Sequence, residues 1–319
     1  MHVLGIDAGG TKTVALLADG EGRIVGEGRA GAANLHTEGE LTVEKILHTA
    51  IDQAMAGQAT PVAAVCLGMA GVDREYEGAL IRQLLQRLGF RAHAVVVNDA
   101  LIALVAGSGL MHGVVIVSGT GSITYGVSER GWAARAGGWG PTLADEGSGY
   151  WIGRRALASV MREMDGRGPA TELSSAVLEH FGLGKPEDLV AAVYDQAHAR
   201  SAIAQLGMVV DRVRASGDRV AMDIMHQAAD ELALSAASVI TRLEMRGEPF
   251  TILLSGGMLK DGSWLAQALR SRLAEVAPRS TVAPLLEEPA MGAVRLALAE
   301  ARGGVRVPRY LDALRSTPQ

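Results

Sequence analysis

The chain has 319 residues and is poor in three things: cysteine, aromatic side chains and lysine. A single cysteine, Cys66, excludes a disulfide within the chain and any zinc or iron–sulfur site built from cysteines of one subunit. Aromatics make up only 4% of residues while 48% are apolar, so the core must be built from Ala, Val, Leu and Ile. Neither sign of charge stands in marked excess. Lys+Arg number 30 against 35 Asp+Glu, a net −5, which leaves no basic footprint for nucleic acid. The opening residues lack a charged stretch followed by a long apolar one, so no signal peptide is expected. The most apolar window, Ala94 to Val117, is interrupted by Asn98, Asp99 and His112, which reads as two core elements around a turn rather than a membrane span. A reducing cytoplasm is the expected location.

What is abundant is glycine: 40 residues against about 22 at ordinary usage. The pattern predicts strands at Val3–Asp7, Thr13–Ala18 and Ile24–Ala30, the last two forming a hairpin. Helix at Glu40–Ala56, strand at Val62–Met69, helix at Tyr76–Leu88, strand at His93–Val97 and a helix opening at Asp99 follow. The order then restarts with strands at Gly113–Ser118, Ser122–Val127 and Gly131–Arg135. Helical stretches follow at Ser148–Gln205 and Val209–Glu244, broken by Gly166-Arg167-Gly168-Pro169 and Gly182-Leu183-Gly184, then strand Phe250–Ser255, helix Trp264–Ala274, strand Ser280–Ala283 and helix Ala290–Ala301. A last helix is expected near Tyr310–Arg315. Alternation of this kind makes two α/β domains with helices on mixed sheets, divided as 1–112 and 113–319, the second larger and carrying a helical insertion. The C-terminal helix is expected to pack back on the first domain.

Three glycine-rich bends each follow a strand: Asp7-Ala8-Gly9-Gly10-Thr11-Lys12-Thr13, Ser118-Gly119-Thr120-Gly121-Ser122 and Ser255-Gly256-Gly257. Without a Cβ, backbone N–H groups approach an anion closely, and the hydroxyls of Thr11, Thr13, Thr120 and Ser122 and the charge of Lys12 add to them. Neither the P-loop spacing nor the dinucleotide fingerprint is present. Each bend alone also reads as a plain hairpin turn. Asp7 reads either as a carboxylate that holds Mg²⁺ near phosphates or as a turn-former before glycine. Asp99 reads either as a helix N-cap, a role Asn98 can also take, or as a base for an attacking hydroxyl. Asp145 reads as a ligand for hydroxyls or as a carboxylate favouring a helix N-terminus. Trp139, set in Gly137-Gly138-Trp139-Gly140, reads as a platform for a sugar face or as a loop anchor, and Asn34 as a hydroxyl ligand or a turn residue.

Taken together in order and spacing, the three bends with Asn98-Asp99-Ala100, Gly137 to Gly140 and Asp145 to Ser148 resemble the N-acetylglucosamine kinases of the BadF/BadG/BcrA/BcrD group, in the sugar kinase, Hsp70 and actin superfamily. The resemblance spans about residues 3 to 300. It implies two ribonuclease-H-like domains flanking an ATP/sugar cleft, ATP and Mg²⁺ as cofactors, and transfer of the γ-phosphoryl to the 6-hydroxyl of an amino sugar. It further implies a homodimer, with no nucleic-acid or membrane partner. Residue by residue it assigns Gly9, Gly10, Thr11, Lys12 and Thr13 with Gly119, Thr120, Gly121 and Ser122 to the phosphates, Gly256 and Gly257 to the adenosine, Asp7 to the metal and Asp99 to the base. Asn34, Asp99, Thr120, Gly138, Trp139 and Asp145 surround the sugar. Relatives in the group leave other readings open: kinases of glucosamine, N-acetylmuramic acid or glucose, and ATPases that activate a partner enzyme. The activators hold an iron–sulfur cluster through cysteines, which a chain with one cysteine does not supply.

Overall fold

The computed structural model describes every residue except 34, 36–38, 57–60, 70, 71, 73, 74, 91, 92, 195–198 and 312–319. It separates into two compact units: Met1–Val115 with Gly126–Ala133 and Leu285–Gln319, and Ile116–Tyr125 with Ala134–Pro284. The sequence reading drew one boundary, at 112/113.

The first unit is built on a five-stranded mixed sheet in the order β3-β2-β1-β4-β5. Its strands are β1 (His2–Ala8), β2 (Thr13–Asp19), β3 (Ile24–Ala30), β4 (Val62–Met69) and β5 (His93–Asn98). β1 pairs antiparallel with β2 and parallel with β4, in a register that sets Asp7 opposite both Val14 and Gly68. Alternation along β1 divides its side chains between two faces. Leu4, Ile6 and Ala8 join Leu67 and Met69 in a buried cluster with Val43, Leu47 and Ala50 of helix α1 (Glu40–Met55) and Ile81, Leu84 and Leu85 of α2 (Glu75–Arg87). Gly5 and Asp7 fall on the other face, covered by α3 (Asp99–Ser108) and by α10 (Pro289–Gly303), the last helix among the described residues. There α10 presses onto bare backbone: a Cβ on Gly5 would strike the Val294 backbone, and one on Gly292 would strike the Ile102 carbonyl. α10, where the sequence predicts a helix over Ala290–Ala301, packs against this unit, although most of its neighbours in sequence belong to the other.

A second, six-stranded sheet runs β10-β9-β6-β7-β8-β11. Its members are β6 (Gly113–Ser118), β7 (Ser122–Val127), β8 (Trp132–Gly137), β9 (Thr251–Ser255), β10 (Thr281–Pro284) and β11 (Arg309–Tyr310). The helical part of the second unit comprises α4 (Gly149–Met164), α5 (Leu173–Phe181), α6 (Leu189–Tyr194), α7 (Ala199–Ala215), α8 (Arg219–Arg242) and α9 (Trp264–Val276).

Two expectations change. The long helical region was expected to break between Gln205 and Val209, but α7 runs through Gly207 and ends at Ser216-Gly217, where Asp218 caps α8 by accepting the Ala221 N–H at 2.8 Å. Gly207 serves contact rather than termination: a Cβ there would lie 2.8 Å from the Met258 sulfur and 3.1 Å from the Gly149 Cα. In place of a helix beginning at Tyr310, Arg309 and Tyr310 form a short strand paired with Trp132 and Ala133; residues 312–315 of that expected helix lie outside the described residues.

Candidate active site

In the first unit, β1 ends at Ala8, opposite Thr13, and the Gly9 N–H donates to the Lys12 carbonyl at 3.0 Å to close the bend between them. Gly10, Thr11 and Lys12 are exposed at its tip, while Thr13 is buried. The Thr13 hydroxyl, expected as a donor to an anion, instead donates to the Gly31 carbonyl at 2.8 Å and ties the bend to the chain leaving β3. The bend's offering to a ligand is therefore its backbone N–H groups and the exposed Thr11 and Lys12 side chains. Asn34 lies outside the described residues.

Asp7 is 8% exposed at the end of β1, on the face that receives the N-termini of α3 and α10. Burial pushes its carboxyl up to about 7, the charges of Asp99 and Glu288 push the same way, and Lys12 opposes them. Glu288 precedes Pro289, the first residue of α10, and pairs with Lys12, while Arg29 stands 3.8 Å away. Three carboxylates therefore gather here, of which Glu288 is met by both Lys12 and Arg29. Among the described residues no three His, Cys, Asp or Glu side chains form a cage by themselves. Mg²⁺ commonly takes one or two carboxylates and completes its shell with phosphate and water, so Asp7 fits that donor chemistry.

The two readings of Asp99 are separated by its neighbour. Asn98 has the extended backbone of an N-cap and its side-chain oxygen accepts the Ala100 N–H at 2.8 Å. Asp99 is the first residue inside α3, half-buried, and the helix end is closed without it.

In the second unit, the second and third bends meet. The Gly119 N–H donates to the Gly121 carbonyl at 2.9 Å, and the Gly119 carbonyl receives the Gly149 N–H at 2.8 Å from the start of α4. Gly256 (φ +97°) sits so close that a Cβ there would land on the Ser118 carbonyl, and a Cβ on Gly119 would lie 3.9 Å from the Gly257 nitrogen. A side chain at 256 would thus drive the bends apart. The Ser122 hydroxyl, like that of Thr13, is committed: it donates to the Glu146 carbonyl at 2.7 Å, while Ser118 donates to Gly147.

Asp145 joins this group. It is 3% exposed and holds a positive φ of 66°, which few non-glycine residues adopt. Its Oδ1 accepts the Gly140 N–H at 3.2 Å, and its Oδ2 lies 2.8 Å from where a Gly121 Cβ would be. Burial raises its carboxyl above the ordinary range, against the lowering influence of Arg200 and of the Gly140 and Ser122 N–H groups. Trp139, in the loop that Asp145 anchors, is 54% exposed and carries the Arg135 guanidinium over its ring at 3.9 Å from the centroid.

Each unit thus gathers its own set: Asp7, Lys12, Asp99 and Glu288 in the first, and Gly119 to Ser122, Gly256, Gly257 and Asp145 in the second. Glu288, Arg135 and Arg200 were missed by the sequence reading. An acid before a proline-started helix was the one available signal for Glu288; a pairing across 276 residues leaves none. A separate cavity of about 480 Å³, lined by Met111, His112, Arg130 and Arg306 among others, opens where β6 begins, at the opposite end of that strand from the second bend.

Residues 4–297 match the model of the BadF/BadG/BcrA/BcrD ATPase family. The chain is 33% identical to the N-acetylmuramic acid/N-acetylglucosamine kinase of Clostridium acetobutylicum, over 94% of this chain and 99% of that one. It is 34% identical to the N-acetyl-D-glucosamine kinase of Dictyostelium discoideum, over 92% and 97%. Among solved structures, a candidate N-acetylglucosamine kinase from Chromobacterium violaceum superposes with a TM-score of 0.70 at 27% identity, covering 93% of this chain and 98% of the other. The chain therefore belongs to the BadF/BadG/BcrA/BcrD ATPase family.

Proposed function

We propose that the protein transfers the γ-phosphoryl of ATP to the 6-hydroxyl of an amino sugar, with N-acetyl-D-glucosamine as acceptor and its 6-phosphate as product. The observation that carries the reading is the division of labour at the start of α3: Asn98 closes the helix, so Asp99 is not needed there, and its charge acts on the buried Asp7. Two carboxylates in one neighbourhood with different tasks suit phosphoryl transfer, which needs positioning and charge neutralisation more than covalent help.

In this reading Asp99 hydrogen-bonds the primary hydroxyl and takes its proton as the oxygen attacks phosphorus; a positioned base is worth about 10²–10⁴ in rate. Backbone N–H groups of the bends at Gly9 to Lys12 and Gly119 to Ser122 donate to phosphate oxygens. Gly256 and Gly257 border the adenosine. Asp145 accepts from sugar hydroxyls, and Trp139 and Gly138 lie along the sugar. Mg²⁺, held by Asp7, supplies positive charge to the phosphates. The family resemblance adds a homodimer, which light scattering on the purified chain tests. No helix among the described residues is long and apolar enough to cross a membrane, and the one cysteine is buried, in keeping with a reducing cytoplasm.

An ADP-release assay with N-acetylglucosamine, N-acetylmuramic acid, glucosamine, glucose and no sugar tests the proposal, with phosphorus NMR locating the ester. Release that depends on an amino sugar, with a 6-phosphate product, is the expected result. Hydrolysis indifferent to every sugar would replace it with an ATPase that serves a protein partner.

A further inference from the structure

Arg200 occupies a position that stability alone does not favour. It lies in the first turn of α7, where the helix dipole opposes a cation. Its Nε is buried and has no hydrogen-bond partner, which is a further cost. Beside it stands the buried Asp145. Nη2 lies 3.9 Å from Oδ2, near enough to pair in charge and too far to hydrogen-bond. The carboxylate is fixed by its own loop: Oδ1 accepts the Gly140 N–H at 3.2 Å, and Oδ2 lies against Gly121. Charge around it is sparse. The bend Gly119–Ser122 and the first turn of α4, Gly149–Ile152, bring no charged side chain, and α8 meets the adjoining Gly147 with Ala228 and Leu232. Glu146, in the same loop, is a second acid, and Arg200 is the cation that acts on Asp145 most.

We propose that Arg200 is a positioning residue for the sugar: its guanidinium supplies the countercharge that lets the enclosed Asp145 stand as a carboxylate, the form that accepts from sugar hydroxyls. The inference rests on the reading of Asp145 as a sugar ligand. A carboxylate only accepts, whereas a carboxylic acid carries a proton of its own and has less capacity to accept. Burial favours the neutral acid at Asp145, and Glu146 adds to that; Arg200 above all, then the Gly140 and Ser122 N–H groups, act the other way. A charge set 3.9 Å off does this without occupying a lone pair that a direct hydrogen bond would take. In this role Arg200 needs its charge and not its planar fork, which sets it apart from a residue that grips a ligand directly.

The test measures ADP release by the full chain with N-acetylglucosamine as a function of pH, on wild type, Arg200→Gln, Arg200→Lys, Asp145→Asn and the double variant Arg200→Gln/Asp145→Asn. Relative to wild type at the same pH, Arg200→Gln is expected to lose about tenfold or more in kcat/KM for the sugar in the acid range, through KM, with the KM for ATP within about twofold. The loss should shrink as pH rises and the Asp145 carboxyl gives up its proton again. Arg200→Lys, which keeps the charge, should stay within about threefold of wild type. In the Asp145→Asn background, where no carboxylate needs a countercharge, Arg200→Gln should change kcat/KM by less than about twofold. If Arg200→Gln alone does not fold, the same logic expects Asp145→Asn to restore folding, and a double variant that also fails to fold would overturn the assignment. A loss independent of pH, a lysine as poor as glutamine, an undiminished loss beside Asp145→Asn, or a raised KM for ATP with that for sugar unchanged would each overturn it as well. A single Asp145→Asn variant with wild-type kcat/KM for the sugar would instead remove Asp145 from the sugar, and absence of turnover with every sugar would overturn the kinase reading on which the inference stands.

Discussion

Asn98 and Asp99 are adjacent, and the cap belongs to Asn98: its Oδ1 takes the Ala100 N–H at 2.8 Å, while Asp99 is the first residue of the helix itself. The two substitutions are therefore expected to separate. Asp99→Asn should melt within about 1 °C of wild type while kcat falls by about 10²–10⁴. Asn98→Ala should lose about 1 kcal/mol of stability, the usual worth of a cap. Thermal melts beside steady-state kinetics decide it; near-normal turnover of folded Asp99→Asn would remove Asp99 from the chemistry.

Asp7 gives a pH prediction. Its folded pKa of about 7 lies above the unfolded value of 3.8, so between these limits the folded state binds more protons than the unfolded one. Its contribution to stability is greatest in acid, declines as pH rises from about 4 to 7, and is flat beyond; a shift of this size is worth at most about 4 kcal/mol. Asp7→Asn removes the buried charge. With chelator present, its advantage in melting temperature over wild type should grow from about pH 5 to pH 8, while Mg²⁺-dependent turnover is lost. An advantage constant across that range would show that the carboxyl titrates as an ordinary surface acid.

Gly256→Ala tests the meeting of the second and third bends. Alanine must occupy a backbone region at φ +97° and place its methyl on the Ser118 carbonyl. Strain and displacement together should cost about 2 kcal/mol or more and raise the KM for ATP. Gly257→Ala, with open space around its Cβ, should be far milder in stability. Equal melting temperatures for the two variants would contradict the contact.

Trp139→Ala addresses the exposed indole. With the ring more than half exposed, stability should change by less than about 0.5 kcal/mol. Loss of the platform should raise the KM for sugar about tenfold while the KM for ATP stays within about twofold. Parallel increases in both would make Trp139 part of the loop's framework, held there by Arg135.

How much of this was readable beforehand follows from the kind of signal each feature leaves. Strands and helices announced themselves through periodicity, and the bends through glycine, because both are local. Gly207 misled because a glycine that ends a helix and one that admits a neighbouring backbone look alike in one dimension; only Met258 and Gly149 lying against it tell them apart. Asn98 and Asp99 were both plausible caps until the extended backbone at 98 chose between them. The hydroxyls of Thr13 and Ser122 looked available as donors, and were not, because their acceptors, Gly31 and Glu146, are fixed by turns in distant parts of the sequence. Glu288 and Arg200 gain their meaning from Lys12 and Asp145, partners no spacing rule connects.

The seam where α10 rests on naked strand at Gly5 has a bearing on biosynthesis. In chain order β1 comes long before the helix that shields one side of it, so the strand is synthesised well ahead of residues 289–303. Until then Gly5 and the Ile102 side of α3 lack part of their cover, so the first sheet waits incomplete for residues 289–303. Chains cut short before Pro289 should accumulate as aggregates or as targets for proteolysis, even though every residue of the first sheet is present.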